Sequence, residues 1–160
     1  MIARALIEGL LYSVVLGIYI TVSQLFNARL WLTDYPKAIQ EKVPSQSKKE
    51  KSLKIIIGIP FLLFMLGYPV YSTVLLKEAL TGEYMFLKGF LNTFIISFSF
   101  VIFDLVILDW LIFCRINPGF LVIPGSEGMN EYKDYRFHLR GLVVGGLLCV
   151  LLSLITTVVL

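Results

Sequence analysis

Two carboxylates stand out because they lie inside an apolar stretch of the chain. Asp104 and Asp109 belong to the run from Phe90 to Arg115, which is long enough to cross a lipid bilayer. An ionised carboxylate is costly in hydrocarbon, so each aspartate is expected to have a partner or a chemical role. Asp104 lies near the middle of the run, and Asp109 lies about a turn from its end, beside the interfacial anchor Trp110.

The spacing of the two aspartates predicts separate surroundings for them. Side chains five residues apart on an α-helix point about 140° from each other, so a paired-carboxylate site is not expected. Asp109 is expected to be ionised and bonded to Arg115, His138 or Arg140. Asp104 should be a neutral acid bonded to a polar group of the first or second span. The predicted functional cluster consists of Asp104, Asp109, Arg115, His138 and Arg140.

A second set of candidates begins in the first apolar run. Its polar residues fall within a sector of about 100° on a helix, which is typical of a packing surface between helices and also fits a path for a solute. These residues are Glu8, Tyr12, Tyr19, Ser23 and Asn27. Together with the third run, the predicted polar path consists of Glu8, Tyr12, Tyr19, Asn92 and Ser97.

Small residues recur every four positions in the last apolar run. They are Gly141, Gly145, Cys149, Ser153 and Thr157. Such a pattern allows the backbone of another helix to approach closely. It predicts tight packing of this helix, either within the chain or against a second copy.

The composition predicts the helices that position these residues. Apolar residues make up 58% of the 160 residues and charged residues only 16%, and the excess lies in four runs long enough to span a bilayer. The chain is therefore predicted to be a single all-α membrane domain over residues 1–160, a compact bundle of four transmembrane helices with two longer cytoplasmic loops. The spans are expected at about 5–26, 55–76, 89–113 and 141–160, the second being kinked at Pro60 and Pro69.

The distribution of basic residues predicts the orientation. The loops at 27–54 and 115–140 contain seven and four Lys or Arg residues, against three in the rest of the chain. The positive-inside rule then places both loops in the cytoplasm and both termini outside the cell membrane. The basic end of the first loop is expected to be a flexible linker that favours anionic lipid headgroups. Residues 120–123, between two Pro-Gly pairs, are expected to be a short strand or an interfacial loop, and residues 77–88 a short loop.

No cofactor or metal site is predicted. The sequence lacks Walker A, GxGxxG, HExxH and GxSxG motifs, and it has a single histidine. Cys114 and Cys149 lack metal-ligand spacing and are expected to be small buried residues. Because the modest net charge of +3 lies mainly in the two loops, it indicates topology and predicts no nucleic-acid partner.

Three functions fit these patterns. The preferred hypothesis is an accessory or structural subunit that packs against a second copy or another membrane protein. The first alternative is a small proton- or ion-coupled transporter in which Asp104, with Glu8, titrates along the polar path. The second alternative is an enzyme acting on lipid headgroups at the cytoplasmic interface. A closed bundle would favour the first function, a cavity reaching Asp104 the second, and a pocket joining Asp109 to His138 the third.

Overall fold

The computed structural model describes residues 1–79 and 86–160, and this part of the chain contains helices and no strand. The α-helices are α1 (Ile2–Asn27), α2 (Lys37–Lys42), α3 (Lys48–Ala79), α4 (Phe86–Phe103) and α5 (Tyr135–Val159). Short 3₁₀ helices cover Ala28–Asp34 and Asn130–Lys133, and α4 continues as a π-helix over Asp104–Ile116.

Within the described residues, four helical segments are long and apolar enough to cross a membrane. They are Ile2–Asp34, Lys48–Ala79, Phe86–Ile116 and Tyr135–Val159. The four predicted spans fall on these segments, and the helices extend beyond most of the predicted ends. Large apolar side chains such as Leu63 and Leu147 are exposed on the outer faces. Most of the predicted short loop at 77–88 lies outside the described residues.

The segment formed by α4 and its π-helical extension is the centre of the bundle, because α1, α3 and α5 all pack against it. Successive long helices run in opposite directions. Residues 28–47 and 117–134 therefore lie at one end of the bundle, and both termini lie at the other. At the terminal end the Lys77 ammonium donates a hydrogen bond to the carbonyl of Leu160.

Helix α1 approaches α4 through small residues that the sequence-based prediction missed. Ala5, Gly9, Ser13 and Gly17 recur every four positions and are all buried. A Cβ atom on Gly9 would lie 2.5 Å from Oγ of Ser99 and 3.3 Å from Cα of Ile96, so the two backbones meet where a side chain has no room.

The small residues of α5 also pack within the chain. Cys149, Ser153 and Thr157 are buried, and a Cβ atom on Gly145 would lie 3.1 Å from both methyl carbons of Val101 on α4. Gly141 differs from the others, because a Cβ atom there would meet nothing within 4 Å. The repeat thus forms a packing surface that ends at an open space.

Tyrosines of α1 satisfy the backbone of α3 near its prolines. Pro69 has no N–H, so it leaves the carbonyl of Met65 without its helical donor. The hydroxyl of Tyr12 donates to that carbonyl at 2.7 Å. The hydroxyl of Tyr19 donates to the carbonyl of Ile57 at 2.8 Å, close to Pro60. The polar face of α1 therefore stabilises the proline-containing helix.

The two long loops fold together into a cap with its own apolar core. Tyr35, Leu121, Ile123 and Tyr132 are buried there. The Tyr35 hydroxyl donates to the carbonyl of Leu121 at 2.9 Å, and burial, with lesser contributions from Tyr132 and Asp34, raises the pKa of Tyr35. Residues 120–123 form turns in this core, so the predicted strand is not present, and the segment is a loop that packs within the cap.

The first loop is held in place more firmly than predicted. Helix α3 begins at Lys48, so most of the expected flexible linker is helical. The Arg29 guanidinium forms an ion pair with Glu50, with Nε 2.7 Å from Oε1, and also donates to the carbonyl of Pro44 at 2.8 Å. These contacts tie the start of α3 to the end of α1.

Candidate functional site

The π-helix changes the relation between Asp104 and Asp109. Its hydrogen bonds join residues five apart, as shown at its end by the amide of Asn117, which donates to the carbonyl of Ile112 at 2.8 Å. In this geometry residues five apart lie above one another, as residues four apart do in an α-helix. Asp104 and Asp109 consequently share a face. The prediction that they point away from each other is wrong because it assumed α-helical winding.

A polar cavity of about 430 Å³ lies beneath the cap at the loop end of the bundle. Its ionisable lining residues are Asp34, Asp104, Asp109, His138 and Arg140. Four of the five residues of the predicted functional cluster therefore meet in one space. The fifth, Arg115, is exposed and does not line this cavity, because the end of the π-helix turns its side chain away.

His138 is held by Asp109 at the wall of this cavity. Its Nδ1 lies 3.0 Å from Oδ1 of Asp109, and its side chain is only 6% exposed. The imidazole packs between Phe113 and Phe137, whose ring centroids are 5.1 Å and 5.2 Å away. Asp109 therefore contacts a basic side chain as expected, and that side chain is His138.

The second ring nitrogen of His138 is buried and has no hydrogen-bond partner among the described residues. A neutral imidazole that donates its Nδ1–H to Asp109 carries a lone pair on Nε2. Buried polar atoms are usually bonded, so an unpaired one at a cavity wall indicates a position for a ligand or water. Asp109 thus orients the ring and leaves Nε2 without a hydrogen-bond partner in the described chain.

Asp104 lacks the partner that was predicted for it. Within the described part of the chain, its carboxyl group forms no hydrogen bond with α1 or α3. Asp104 instead lines the cavity, and Asp34 and Asp109 are its charged neighbours. Thr21 and Gln24 of α1 line the same cavity, but Thr21 donates to the carbonyl of Gly17 in its own helix, and Gln24 forms no hydrogen bond with Asp104 in the described chain.

The mouth of the polar cavity carries one charge of each sign. Asp34 and Arg140 are both exposed, and the Arg140 guanidinium lies 6.0 Å from the ring centroid of Phe137. Asp34 was not predicted as a site residue. It is the last residue of the first long apolar segment, Ile2–Asp34, and its local sequence does not distinguish it from an ordinary loop aspartate.

An apolar cavity of about 480 Å³ adjoins the polar one between α3, α4 and α5. The residues common to both walls are Phe100, Asp104, Asp109, His138 and Gly141. The rest of the apolar wall consists mainly of leucines and other aliphatic residues. The absence of a side chain at Gly141 helps to keep the junction open, which explains why the helix-packing repeat does not extend to this residue.

The predicted polar path is occupied by hydrogen bonds between and within helices. Glu8 bonds to Arg4 and to Ser72, and Asn92 donates to the hydroxyls of Ser72 and Thr73 at 3.2 Å and 3.0 Å. Ser97 donates to a carbonyl of its own helix. With Tyr12 and Tyr19 bonded to α3, these residues form contacts typical of helix packing.

The described residues include no group of three or more His, Cys, Asp or Glu side chains arranged to hold a metal ion. Cys114 and Cys149 are free and buried. The chain matches no family model, no curated protein and no solved structure. Any functional conclusion therefore depends on the geometry of the two adjoining cavities.

Proposed function

We propose that this protein is a multi-pass membrane enzyme that acts on a lipid headgroup, with the Asp109–His138 pair as its general base. One observation carries the proposal. The only histidine of the chain is buried, bonded to a carboxylate through Nδ1, and unpaired at Nε2 where a polar and an apolar cavity meet.

The proposed chemistry uses each group in a defined way. Nε2 of His138 accepts a proton from a water or hydroxyl nucleophile as that oxygen attacks an ester bond of the lipid, and Asp109 stabilises the imidazolium that forms. The imidazolium then gives the proton to the alcohol oxygen that leaves as the ester bond breaks. Such general-base catalysis contributes about 10²–10⁴-fold to a reaction rate. Arg140, at the cavity mouth, is placed to donate to a carbonyl or ester oxygen of the substrate.

A membrane lipid is the favoured substrate because of where the pair lies. Four apolar helices surround the site, and the apolar cavity between three of them leads to His138. A lipid reaching His138 through that cavity places its headgroup region beside the imidazole. The basic loops at this end, with eleven of the fourteen Lys and Arg residues, favour a cytoplasmic location for the site.

The proposal is tested by lipid turnover in reconstituted vesicles. The purified protein is placed in vesicles that contain several phospholipid classes, and lipid products are followed by mass spectrometry. His138→Gln should reduce turnover by about 100-fold or more because it removes the base. Glu41→Gln, which changes an exposed group outside both cavities, serves as the control. Turnover that is equal in both variants would contradict the proposed role.

Asp104 supports a second candidate function, the small ion-coupled transporter. This carboxyl group lines both cavities within an apolar helix and has no hydrogen bond among the described residues. Uptake of an organic cation into vesicles, driven by a proton gradient and lost in Asp104→Asn, would support transport. Lipid turnover without such uptake would support the enzyme.

The accessory-subunit hypothesis also stays open, and the close helix packing favours it. It requires no open cavity beside a buried imidazole, so it leaves the Asp109–His138 pair unexplained. A partner membrane protein that bound at the cap and whose activity was unaffected by His138→Gln would support this hypothesis over the enzyme.

A further inference from the structure

We infer that the ligand of the two cavities is an amphiphile with an ammonium group, which binds the cation in the polar cavity and the hydrocarbon chain in the apolar cavity. The inference gives the chemical class of ligand that this site binds. It rests on the proposed function only where it takes that ligand to be the substrate of the enzyme. Three independent features of the cavity walls point to this chemistry.

The first feature is the balance of charged groups. Three carboxyl groups line the polar cavity, namely Asp34, Asp104 and Asp109. The arginine of its wall is Arg140 at the exposed mouth, and Lys54 lies near Asp34 outside the wall. Carboxylates gathered in one poorly hydrated space repel one another, and a cationic ligand offsets that repulsion. An anionic headgroup would instead add to the repulsion inside the cavity.

The second feature is the aromatic lining. The polar cavity is walled by Trp31, Phe61, Phe100, Phe113 and Phe137. Aromatic faces attract alkylammonium groups, and aromatic cages are a common means of binding quaternary ammonium ligands. Carboxylates combined with aromatic rings therefore favour an organic cation over a metal ion, which agrees with the lack of a metal-binding cluster in the described chain.

The third feature lies at the junction of the cavities. His138 lines both cavities and is 7% exposed, and its Nε2 is buried and unpaired among the described residues. Beyond this point the wall is aliphatic, with side chains such as Leu105, Leu142 and Leu152. A cation attached to a hydrocarbon chain matches both sides of the junction at once.

A fluorescence titration tests the inference. Trp31 lines the polar cavity and Trp110, the second of two tryptophans, lies outside both cavities, so Trp110→Phe leaves a single reporter at the site. The full-length protein in lipid nanodiscs is titrated with dodecylpyridinium, whose cationic ring quenches tryptophan on contact. Butylpyridinium tests the contribution of the chain. Dodecyl sulfate and dodecyl maltoside, as competitors, test the contribution of the headgroup charge.

We expect dodecylpyridinium to quench the fluorescence saturably, at concentrations well below those that butylpyridinium needs. Dodecyl sulfate should not compete effectively with dodecylpyridinium for the site. Asp34→Asn should weaken binding by about tenfold through loss of a nearby charge. Asp104→Asn should also weaken binding, because an asparagine cannot ionise beside the bound cation. Glu41→Gln should leave binding unchanged. Gly141→Leu, which fills the junction without a backbone clash, should also weaken binding. Unsaturable quenching that is the same in all variants would overturn the inference.

The outcomes separate this inference from the proposed reaction. Saturable pyridinium binding in a protein that turns over no lipid would support the ligand class and contradict the enzyme. Lipid turnover that depends on His138, in a protein that prefers dodecyl sulfate to dodecylpyridinium, would support the enzyme and contradict the ligand class.

Discussion

At the scale of single residues, the two aspartates of the apolar π-helix have different surroundings. Asp109 bonds to Nδ1 of His138 and fixes the imidazole, whereas Asp104 forms no hydrogen bond within the described chain and faces open space. A buried imidazole that loses its only partner is left with two unsatisfied nitrogens. A carboxyl group that lines a cavity can be replaced by an amide of the same shape without such a loss.

This difference predicts an order of stabilities. Asp109→Ala should lower the free energy of unfolding by about 1–3 kcal/mol because the buried Nδ1 of His138 is left unpaired. Asp104→Asn should change it by less than about 0.5 kcal/mol. Thermal unfolding of both variants in the same detergent provides the measurement. A larger loss for Asp104→Asn would show that Asp104 holds a partner that this account does not assign.

The sequence predicts which residues lie near one another at the site. It does not predict the relative orientation of their side chains. Asp104, Asp109, His138 and Arg140 were grouped because the topology brings their segments to one end. Their mutual orientation depends on π-helical winding, which leaves no periodic signal in a segment that is apolar on most sides. Asp34 was missed because nothing in its local sequence distinguishes it from an ordinary loop aspartate.

At the scale of elements, glycine contacts decide where helices approach closely. Gly9 and Gly17 place α1 directly against α4, with Ser99 and Phe103 occupying the space where side chains would be. The equivalent pattern on α5 was identified from sequence, because its repeat is uninterrupted over five positions. The pattern on α1 was obscured by the polar residues between its members.

A pair of glycine substitutions tests this packing. Gly9→Leu should destabilise the bundle by about 1–3 kcal/mol, since the new side chain meets Ser99 and the backbone at Ile96. Gly67→Leu on α3 is the matched control, because a Cβ atom there meets nothing within 4 Å. Equal unfolding temperatures for the two variants would mean that α1 and α4 do not pack through Gly9.

The proline-containing helix gives a second prediction at this scale. Tyr12→Phe removes the donor to the Met65 carbonyl and should cost about 1 kcal/mol of stability. The cost should be smaller with Pro69→Ala, because the amide of residue 69 then reaches the same carbonyl. A double-mutant cycle measures the coupling. Purely additive effects would show that the tyrosine does not compensate for the proline.

The helix ends were predicted less well than the helices themselves. Four apolar runs located the four long helices, but α3 begins at Lys48, seven residues before the predicted span. Lysine and glutamate are good helix formers, and the ion pair of Arg29 with Glu50 fixes this first turn. Hydropathy alone cannot detect such a polar extension of a helix, since tertiary contacts define where the extension begins.

At the scale of the whole molecule, the chain has two unlike ends. One end carries both termini and a network of hydrogen bonds among helices, and the other carries the cap, the polar cavity and most of the basic residues. The asymmetry of Lys and Arg predicts that the cap faces the cytoplasm.

Cysteine labelling tests this orientation. In a variant whose native cysteines are replaced by alanine, Lys37→Cys and Lys133→Cys each place a thiol at an exposed position of the cap. A maleimide that cannot cross membranes should fail to label either one in intact cells and should label both after lysis. Ile2→Cys, at the opposite end, should react in intact cells. The reverse pattern would place the cap outside.

The most direct test of the central claim is the reactivity of His138 in the folded protein. Diethyl pyrocarbonate modifies an unprotonated imidazole nitrogen, and the chain has a single histidine, so peptide mass spectrometry reports this residue alone. If Nε2 opens into the cavity, His138 is modified before unfolding, and both dodecylpyridinium and Gly141→Leu slow its modification. A histidine that reacts only after unfolding would contradict a ligand cavity built around the Asp109–His138 pair.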